Sequence, residues 1–434
     1  MTVLNVGCDL GIKSDSKATV MDSGGQVRNR FNFNLSYAGL EYFFRIIEQG
    51  GPHTIRIICE PTSMMWFPLA VAAKKRGHAV YRVKSEKVSD LRKYYKKHTK
   101  TDRIDADTLA KIPLVDYDSL YEVELPQADL QSLNRMVRQH EKLTTSIAIR
   151  KRRIQDLICF AVPLLLSCFD DLFTLRARVI LGRYFHPARV KRLGVKRLDK
   201  ILLKSSDKPM EPFLAQRIYE AMMDAYLLYG EQEYIDFDEL CNEVTFEMEL
   251  MEHEEDVLQK LNKKIDVLYV KLHPSRNLET IPGIGKILAP VFLANILNPD
   301  RFLTVEAFRG FTGMIPGKSE SGLMEGKGGK MTKAGPTSLR RALYIAADVA
   351  RNWDPQMAKF YYDHMVHKGN QHTKATCAVA AKLASRILQV LKEDRPYEIR
   401  DVDGQVVTKK QAREIIVEKW KVTEETRKRL RRKK

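Results

Sequence analysis

Short apolar runs alternate with polar stretches over the N-terminal part of the chain, and this pattern predicts a mixed α/β domain. A DSGG turn at 22–25 is typical of a tight hairpin between two strands. The apolar runs predict strands at 3–9, 18–21, 26–34, 54–60 and 79–83, and helices at 37–48, 67–75 and 102–112. Between the last strand and the last helix the chain is polar and basic, and no element is predicted there.

The order of these elements indicates the topology of the domain. Three strands of antiparallel type are followed by a helix, a strand, a helix, a strand and a helix, which is the skeleton of a ribonuclease-H-like fold. In such a sheet the first and fourth strands are neighbours. The polar residues that follow these two strands are therefore expected to lie close together.

The middle of the chain, residues 127–270, has an almost purely helical pattern. Two long runs of apolar residues at three-four spacing predict two helices that pair as an antiparallel coiled coil, with a helical insert at about 163–230 between them. The seam is imperfect, because it includes His140, Lys151, Glu247 and Glu254. A helical spacer or a dimerisation arm is the favoured interpretation.

The last part of the chain is mainly helical with a glycine-rich, basic loop at 317–333. Helices are predicted at 338–351 and 374–392. The chain ends in RKRLRRKK, in which seven of eight residues are basic, and either a solvated tail or weak phosphate contact would explain it. The predicted domains are 1–125, 126–275, 276–396 and a basic tail, 397–434.

Composition narrows the class of protein. The chain has 434 residues, too many for one ordinary core, and a net charge of +18 that attracts polyanions, nucleic acid first among them. Its six cysteines are scattered, which argues against a zinc site and a disulfide scaffold. There is no signal-peptide pattern, and the apolar run at 158–168 is too short to span a membrane. A cytoplasmic location is expected.

Four acidic residues stand at informative positions of the predicted fold. Asp9 ends the first strand, Glu60 ends the fourth, and Asp102 and Asp105 share one face of a helix. Carboxylates that converge in this way hold the two Mg²⁺ ions of phosphodiester cleavage about 3.5–4 Å apart. Each acid alone could be a helix cap or a surface charge, and the set together favours a metal site. The further acids Asp15, Asp107 and Asp116 are interpreted as surface residues.

The segment IPGIGK could bring backbone N–H groups close to a phosphate. Its candidate contacts are Gly283, Gly285 and Lys286, in a pattern like the turn of a helix-hairpin-helix. A plain turn between two helices would explain the same residues.

The glycine-rich loop offers a candidate nucleophile. Ser321 lies in a Ser-Gly step, and Ser319 is an equal candidate from chemistry alone. A serine that attacks a phosphate conserves the bond energy in an ester and allows rejoining without ATP. Cations that would offset the phosphate charge are Lys318, Lys327, Lys330 and Lys333, with Arg340 and Arg341 in the following helix.

These motifs, in this order, resemble the DEDD transposases of the insertion sequence 110 family, the RNA-guided bridge recombinases. The resemblance covers the chain through Asp105 and then from Leu278 to about Pro396. The N-terminal motifs are GCD, ICEPT and KTDRIDADTLA, and the C-terminal ones are IPGIG, DRF, GMIP, SESG and MTKAGPTSLRRALY. Two features depart from the family: PTSMMW follows Glu60 where a small residue and a glycine are common, and the insert is longer than in compact members.

The resemblance implies a RuvC-like domain, a coiled-coil arm and a transposase domain. It implies that Asp9, Glu60, Asp102 and Asp105 bind Mg²⁺ and that Ser321, not Ser319, is the nucleophile. It also implies donor and target DNA as substrates, a noncoding bridge RNA as guide, a prokaryotic nucleoid-associated location, and no membrane. Family members form dimers that assemble into a tetramer, in which the acids of one subunit meet the serine of another.

The function expected from the resemblance is RNA-guided DNA recombination through a phosphoserine intermediate. Two alternatives remain open. One is a metal-only nuclease of the Holliday-junction type with a structural serine, and the other is a non-catalytic nucleic-acid-binding relative.

Overall fold

The computed structural model describes residues 2–61, 63–95, 101–118, 120, 122–230, 234–316 and 331–431. The chain divides into two compact units, Met1–Pro126 and Gln127–Lys434. The predicted subdivisions near 275 and 396 stay predictions. Within the described residues, no helix is both long and apolar enough to cross a membrane.

The first unit is built on a five-stranded sheet of order β3-β2-β1-β4-β5. β1 pairs with β2, and β2 with β3, in antiparallel fashion, whereas β1, β4 and β5 are parallel. The predicted neighbouring positions of β1 and β4 are therefore confirmed. The elements are β1 (Thr2–Asp9), β2 (Ser16–Asp22), β3 (Val27–Phe33), α1 (Tyr37–Ile47), β4 (His53–Cys59), α2 (Trp66–Lys75), β5 (Ala79–Arg82), α3 (Ser85–Tyr94) and α4 (Asp102–Val115).

Helices cover both faces of this sheet. α1 begins at Ser36, whose hydroxyl accepts a hydrogen bond from the Gly39 amide, and it buries Phe43 and Phe44 against the strands. α4 packs closely on β1 and β2. A Cβ on Gly7 of β1 would lie 2.1 Å from the Ala106 carbonyl oxygen, so only glycine allows this approach.

Two expectations for this unit were wrong. The polar stretch after β5 contains a helix, α3, which buries only Val88 and so has no apolar periodicity to reveal it. Asp107 is not a surface residue, because it is only 8% exposed on α4. Its carboxylate accepts hydrogen bonds from Thr19 Oγ1 at 2.9 Å and pairs with Arg30.

The second unit begins with a pair of long helices, α5 (Ala128–Ala161) and α10 (Phe237–Leu272). Asp129 pairs with Lys271, and Arg153 with Glu243, so the two helices run antiparallel. We call them the arm. The apparently misplaced seam acids are paired: Arg150 of α5 contacts Glu247 at 3.0 Å and Glu254 at 3.1 Å.

The segment between the two arm helices forms a helical insert with its own apolar core. A short 3₁₀ turn (Pro163–Cys168) leads into α6 (Leu175–Arg183), α7 (Pro187–Leu193), α8 (Val195–Lys204) and α9 (Leu214–Tyr229). Ile180, Leu198 and Ile218 are fully buried there, together with Ile154 and Val244 of the arm.

The remaining helices pack around a second apolar core that includes the other end of the arm. They are α11 (Leu288–Ile296), α12 (Val305–Thr312), α13 (Thr337–Ala350), α14 (Pro355–Tyr362), α15 (His372–Glu393), α16 (Lys409–Lys419) and α17 (Glu424–Arg431). The described part of the basic tail, up to Arg431, is therefore folded. Val422 and Leu430 anchor it, because both side chains are buried in this core.

Candidate functional site

Asp9 and Glu60 leave neighbouring strands at the same edge of the sheet. Asp9 is the last residue of β1, and Glu60 directly follows β4. Their preceding residues, Cys8 and Cys59, are register partners in the parallel pair. The two carboxylates thus start side by side at the carboxyl edge.

The direction of α4 brings the other two acids to this edge. Ala106 lies over Gly7 near the end of β1, whereas Leu114 lies 3.5 Å from the Cβ position of Gly25. Gly25 follows β2, whose last residue Asp22 pairs with Leu4 near the start of β1. α4 therefore runs antiparallel to β1, and its first turn, which contains Asp102 and Asp105, lies at the carboxyl edge.

Asp102 and Asp105 differ in their surroundings. Thr101 caps α4 by accepting a hydrogen bond from the Ile104 amide, so Asp102 is not the cap and is exposed. Asp105 is only 6% exposed and pairs with Arg92 of α3, with 2.5 Å between Nη1 and Oδ1. The positive end of the helix dipole also stabilises the ionised form of both carboxylates.

Besides Arg92, two cations of the strands lie near this edge of the sheet. Lys17 of β2 is the register partner of Asp9, and Arg82 of β5 is the register partner of Cys59, the residue before Glu60. Glu60 accepts a hydrogen bond from Ser85 Oγ at 2.8 Å. Within the described residues, no three acidic, histidine or cysteine side chains are arranged to hold a metal ion.

The two thiols beneath this edge are structural. Burial raises the pKa of the Cys59 thiol to about 12, and burial also raises that of Cys8 well above its usual value. Both thiols therefore stay protonated at neutral pH and act as small apolar side chains.

Sequence reasoning missed two residues of this region, Arg92 and Asp107. Arg92 lies on the helix that was not predicted, and its contact with Asp105 spans 13 positions of the chain. Asp107 is held by Arg30 across 77 positions. Arg30 stands in a run of four exposed residues of β3, 27–30, and only the end of this strand alternates, so the pattern gave no signal for its partner.

Ser321 lies outside the described residues. So do the alternative Ser319 and three of the predicted cations, Lys318, Lys327 and Lys330.

The residues that flank this segment, 317–330, are held together. Pro316 and Met331 form an antiparallel bridge, and the Thr332 amide donates to the Ile315 carbonyl at 3.0 Å. Gly335 packs so closely that a Cβ there would lie 1.7 Å from the Phe311 carbonyl oxygen. The KAGP motif, 333–336, therefore packs against the end of α12, and together with Pro316 and Met331 it forms what we call the base of the loop, the described residues on either side of 317–330.

The predicted phosphate-binding arginines of α13 have different surroundings. Arg340 donates to the carbonyls of Lys333 (2.9 Å) and Gly335 and so fastens the base of the loop. Arg341 is exposed. Lys333 is also exposed, with φ +54°.

The IPGIGK segment forms the turn before α11. Gly283 has φ +91°, and a Cβ there would lie 2.2 Å from the Ala346 carbonyl oxygen of α13, so close packing explains this glycine. Gly285 has nothing near its Cβ position, and it is exposed like Lys286. These two residues are free to meet a ligand.

Two family models match the chain. A DEDD transposase model of the IS110 type matches residues 6–163, which include the four acids. The model "Transposase IS116/IS110/IS902 family" matches residues 275–362, which include position 321 and its flanks. Together they cover more than half of the chain.

Curated relatives agree with these matches. A 43.6 kDa protein of insertion element IS110 from Streptomyces coelicolor is 26% identical over 79% of this chain and 83% of its own length. A 44.8 kDa protein of IS116 from Streptomyces clavuligerus is 23% identical over 74% and 78%. The pilin gene-inverting protein of Moraxella bovis is 30% identical over 30% of this chain and 40% of its own length.

Proposed function

Because this chain belongs to the DEDD transposases of the IS110 family, we propose that it recombines DNA through a serine nucleophile assisted by Mg²⁺ at the four acids. The observation that carries the proposal is the meeting of Asp9, Glu60 and the first turn of α4 at one edge of the sheet. We take this sheet to be ribonuclease-H-like and the arm to be a coiled coil.

The acids fit a hard divalent cation by their chemistry. All four offer carboxylate oxygens, the ligands that Mg²⁺ prefers. The guanidinium of Arg92 forms an ion pair with Asp105, so this carboxylate already has a cationic partner. Ligation by Asp9, Glu60, Asp102 and Asp105 requires side-chain rotation and release of this pair. When bound, the ion would supply charge stabilisation to the phosphate under attack.

Ser321 is the proposed nucleophile. Its Oγ attacks the scissile phosphorus and loses its proton, and the P–O3′ bond breaks, so that the 3′-oxygen leaves as a hydroxyl. A 5′-phosphoserine ester results. A 3′-hydroxyl of the other DNA then attacks this ester and releases the serine, which leaves the number of phosphodiester bonds unchanged.

The residues that flank segment 317–330 support this role. Pro316, Met331 and Arg340 hold the two ends between which Ser321 lies in the sequence. Lys333 is exposed at one of these ends, Arg341 is exposed on the following helix α13, and both would bind backbone phosphates. Lys318, Lys327 and Lys330 belong to the same proposal.

The proposal also includes an RNA partner and an oligomeric state. We infer that a bridge RNA pairs with donor and target DNA and that the protein acts as a dimer within a tetramer. The pilin gene-inverting relative supports recombination in general. The net charge of +18 suits a protein that holds several nucleic-acid strands.

A suicide DNA substrate with a nick next to the cleavage site tests the serine. We expect a protein–DNA adduct on a denaturing gel for the unchanged protein and none for Ser321→Ala. Ser319→Ala is the matched control and should keep the adduct. Normal strand cleavage by Ser321→Ala would instead establish the metal-only nuclease.

The acids are tested with the same substrate. Glu60→Gln and Asp105→Asn should each lower adduct formation by about 10²-fold or more, because charge stabilisation at the phosphate is lost. Asp116→Asn, an exposed carboxylate at the other end of α4, is the control. Undiminished adduct in both site variants, with no need for divalent metal, would show that the four acids do not assist the serine. Absence of both adduct and cleavage in the unchanged protein would leave only nucleic-acid binding.

A further inference from the structure

The helical insert carries a dense basic segment that the proposed chemistry does not use. Residues 183–208 contain nine Lys and Arg against two Asp. Neither family model covers residues 164–274, so the segment lies outside the regions that define the family. Its charge therefore needs an explanation of its own.

The basic residues of α8 lie on one side of the helix. Leu198 and Leu202 are fully buried in the insert core. At about 100° per residue, Lys196, Arg197, Lys200 and Lys204 fall within an arc of about 100° that is centred opposite this buried face. All four are exposed. Three of them form a row at i, i+4 and i+8 that spans about 12 Å.

The helix that presents these charges is firmly held. Arg176 of α6 donates to the Leu202 carbonyl at 3.1 Å and the Ser206 carbonyl at 3.0 Å, which fastens the end of α8. On α7, Arg189 pairs with Asp238 of the arm, and the Lys191 ammonium lies 3.9 Å from the centre of the Tyr226 ring. The row therefore has a fixed direction relative to the insert.

The α8 cations lack the compensation that cations elsewhere receive. In the arm, Arg150, Lys151 and Arg153 all pair with glutamates. By contrast, none of Lys196, Arg197, Lys200 and Lys204 forms an ion pair with any residue that the structure describes. A row of uncompensated charges attracts a polyanion.

We propose that this α8 row, Lys196, Lys200 and Lys204 with Arg197 beside it, binds the sugar–phosphate backbone of a nucleic-acid duplex. A duplex carries one charge per about 3.4 Å of axis on each strand, so a 12 Å row faces about three phosphates. This inference adds a binding surface to the proposed function. It rests on the proposed function only because that function identifies the polyanion as a nucleic acid.

Other polyanions fit the row less well. Binding of single strands uses exposed aromatic side chains for stacking, and α7 and α8 expose none. Membrane binding by an amphipathic helix requires a free apolar face, and on α8 Leu198 and Leu202 are buried in the insert core, which leaves Leu203 as a single exposed leucine.

The test uses the full chain with Lys196→Gln, Lys200→Gln and Lys204→Gln combined. Anisotropy titrations with a labelled DNA duplex and an RNA stem-loop are run from 0.05 to 0.3 M salt. We expect affinity to fall by about tenfold or more at 0.15 M, and the slope of log K against log salt to decrease by about 2–3. If affinity falls for only one of the two probes, that probe shows whether the row binds a DNA or an RNA duplex.

Two control variants make the result decisive. Changing the same three lysines to arginine should restore binding. Changing Lys260, Lys263 and Lys264 of α10 to glutamine removes equal charge from exposed positions of the arm and should have a much smaller effect. Equal losses in the α8 and α10 variants, or a loss on a single strand as large as on a duplex, would overturn the proposal. Ser321-dependent adduct at saturating DNA remains a separate readout of the chemistry.

Discussion

Gly7 decides how closely α4 can approach the strand that ends in Asp9. A Cβ would lie 2.1 Å from the Ala106 carbonyl oxygen and 2.3 Å from the Ala110 amide nitrogen. We expect Gly7→Ala to destabilise the first unit by about 1–3 kcal/mol, because helix and strand must separate. Its melting temperature by calorimetry measures the effect.

The matched control is Gly285→Ala. That glycine has no atom within 4 Å of its Cβ position and is exposed. It should melt like the unchanged protein. Equal melting of both variants would show that α4 does not press on β1.

Arg92 and a metal ion would compete for Asp105. The Arg92–Asp105 ion pair is largely shielded from solvent, with 17% of the Arg92 and 8% of the Asp105 side chain exposed. We expect Arg92→Gln to lower the Mg²⁺ concentration at which thermal stabilisation is half complete by about threefold to tenfold, because no cation need be displaced. The midpoint of a Mg²⁺ titration, followed by thermal shift, measures this independently of activity.

Lys93→Gln provides the comparison on the same helix. Lys93 pairs with Asp90 at the surface, 3.5 Å away, and should leave the Mg²⁺ midpoint unchanged. A higher midpoint for Arg92→Gln would mean that Arg92 helps to assemble the ligands and does not occupy their place.

At the scale of single residues, the sequence reveals those acids that stand at the end of a strand or helix. Asp9 and Glu60 could be found because a strand's last residue is visible in its apolar pattern. The Arg92–Asp105 and Arg30–Asp107 pairs could not, since each joins side chains from separate elements whose packing no local pattern encodes.

Arg150 joins the two helices of the arm. It contacts both Glu247 and Glu254, and Ser146 donates to Glu254 at 2.8 Å. Arg150→Ala should destabilise the second unit by about 1–2 kcal/mol, because two half-buried carboxylates each lose a cationic partner, while Glu247 keeps Arg153 and Glu254 keeps Ser146. Chemical denaturation with helicity as the signal measures this loss.

Lys260→Gln is the control for the arm. Lys260 pairs with Asp256 on the surface of α10 and should change stability by less than about 0.5 kcal/mol. If Arg150→Ala were as mild, the acids in the seam would be solvated and the apolar seam alone would hold the helices.

At the scale of elements, predictability followed apolar periodicity. The five strands and the two arm helices carry clear periods, and all were found. α11, α12, α14 and α16 were not predicted individually, although each buries two or more residues. α3 and α17 were missed because each buries a single side chain. Such helices form because neighbouring elements cover that one residue, which a local pattern does not encode.

Four histidines, of which only His273 is buried, make the stability of the second unit depend on pH. Desolvation lowers the pKa of His140, His273 and His364, and also that of His372, whose side chain is 46% exposed. The nearby cations Arg341, Lys368 and Arg351 add to the effect for His140, His364 and His372. The unfolded chain therefore binds protons first as pH falls below about 6.5. Stability is full above that pH and is lost as pH falls toward the lowered values.

We accordingly expect the melting temperature of the second unit to fall between pH 7.5 and pH 5.5, a window above most carboxylate titration. His273→Gln should flatten this slope, because one buried proton acceptor is removed. His253→Gln, at an exposed position of α10, is the matched control and should leave the slope unchanged. A slope that rises toward acid pH, or that ignores His273, would mean that these imidazoles take up protons as readily in the folded protein as in the unfolded chain.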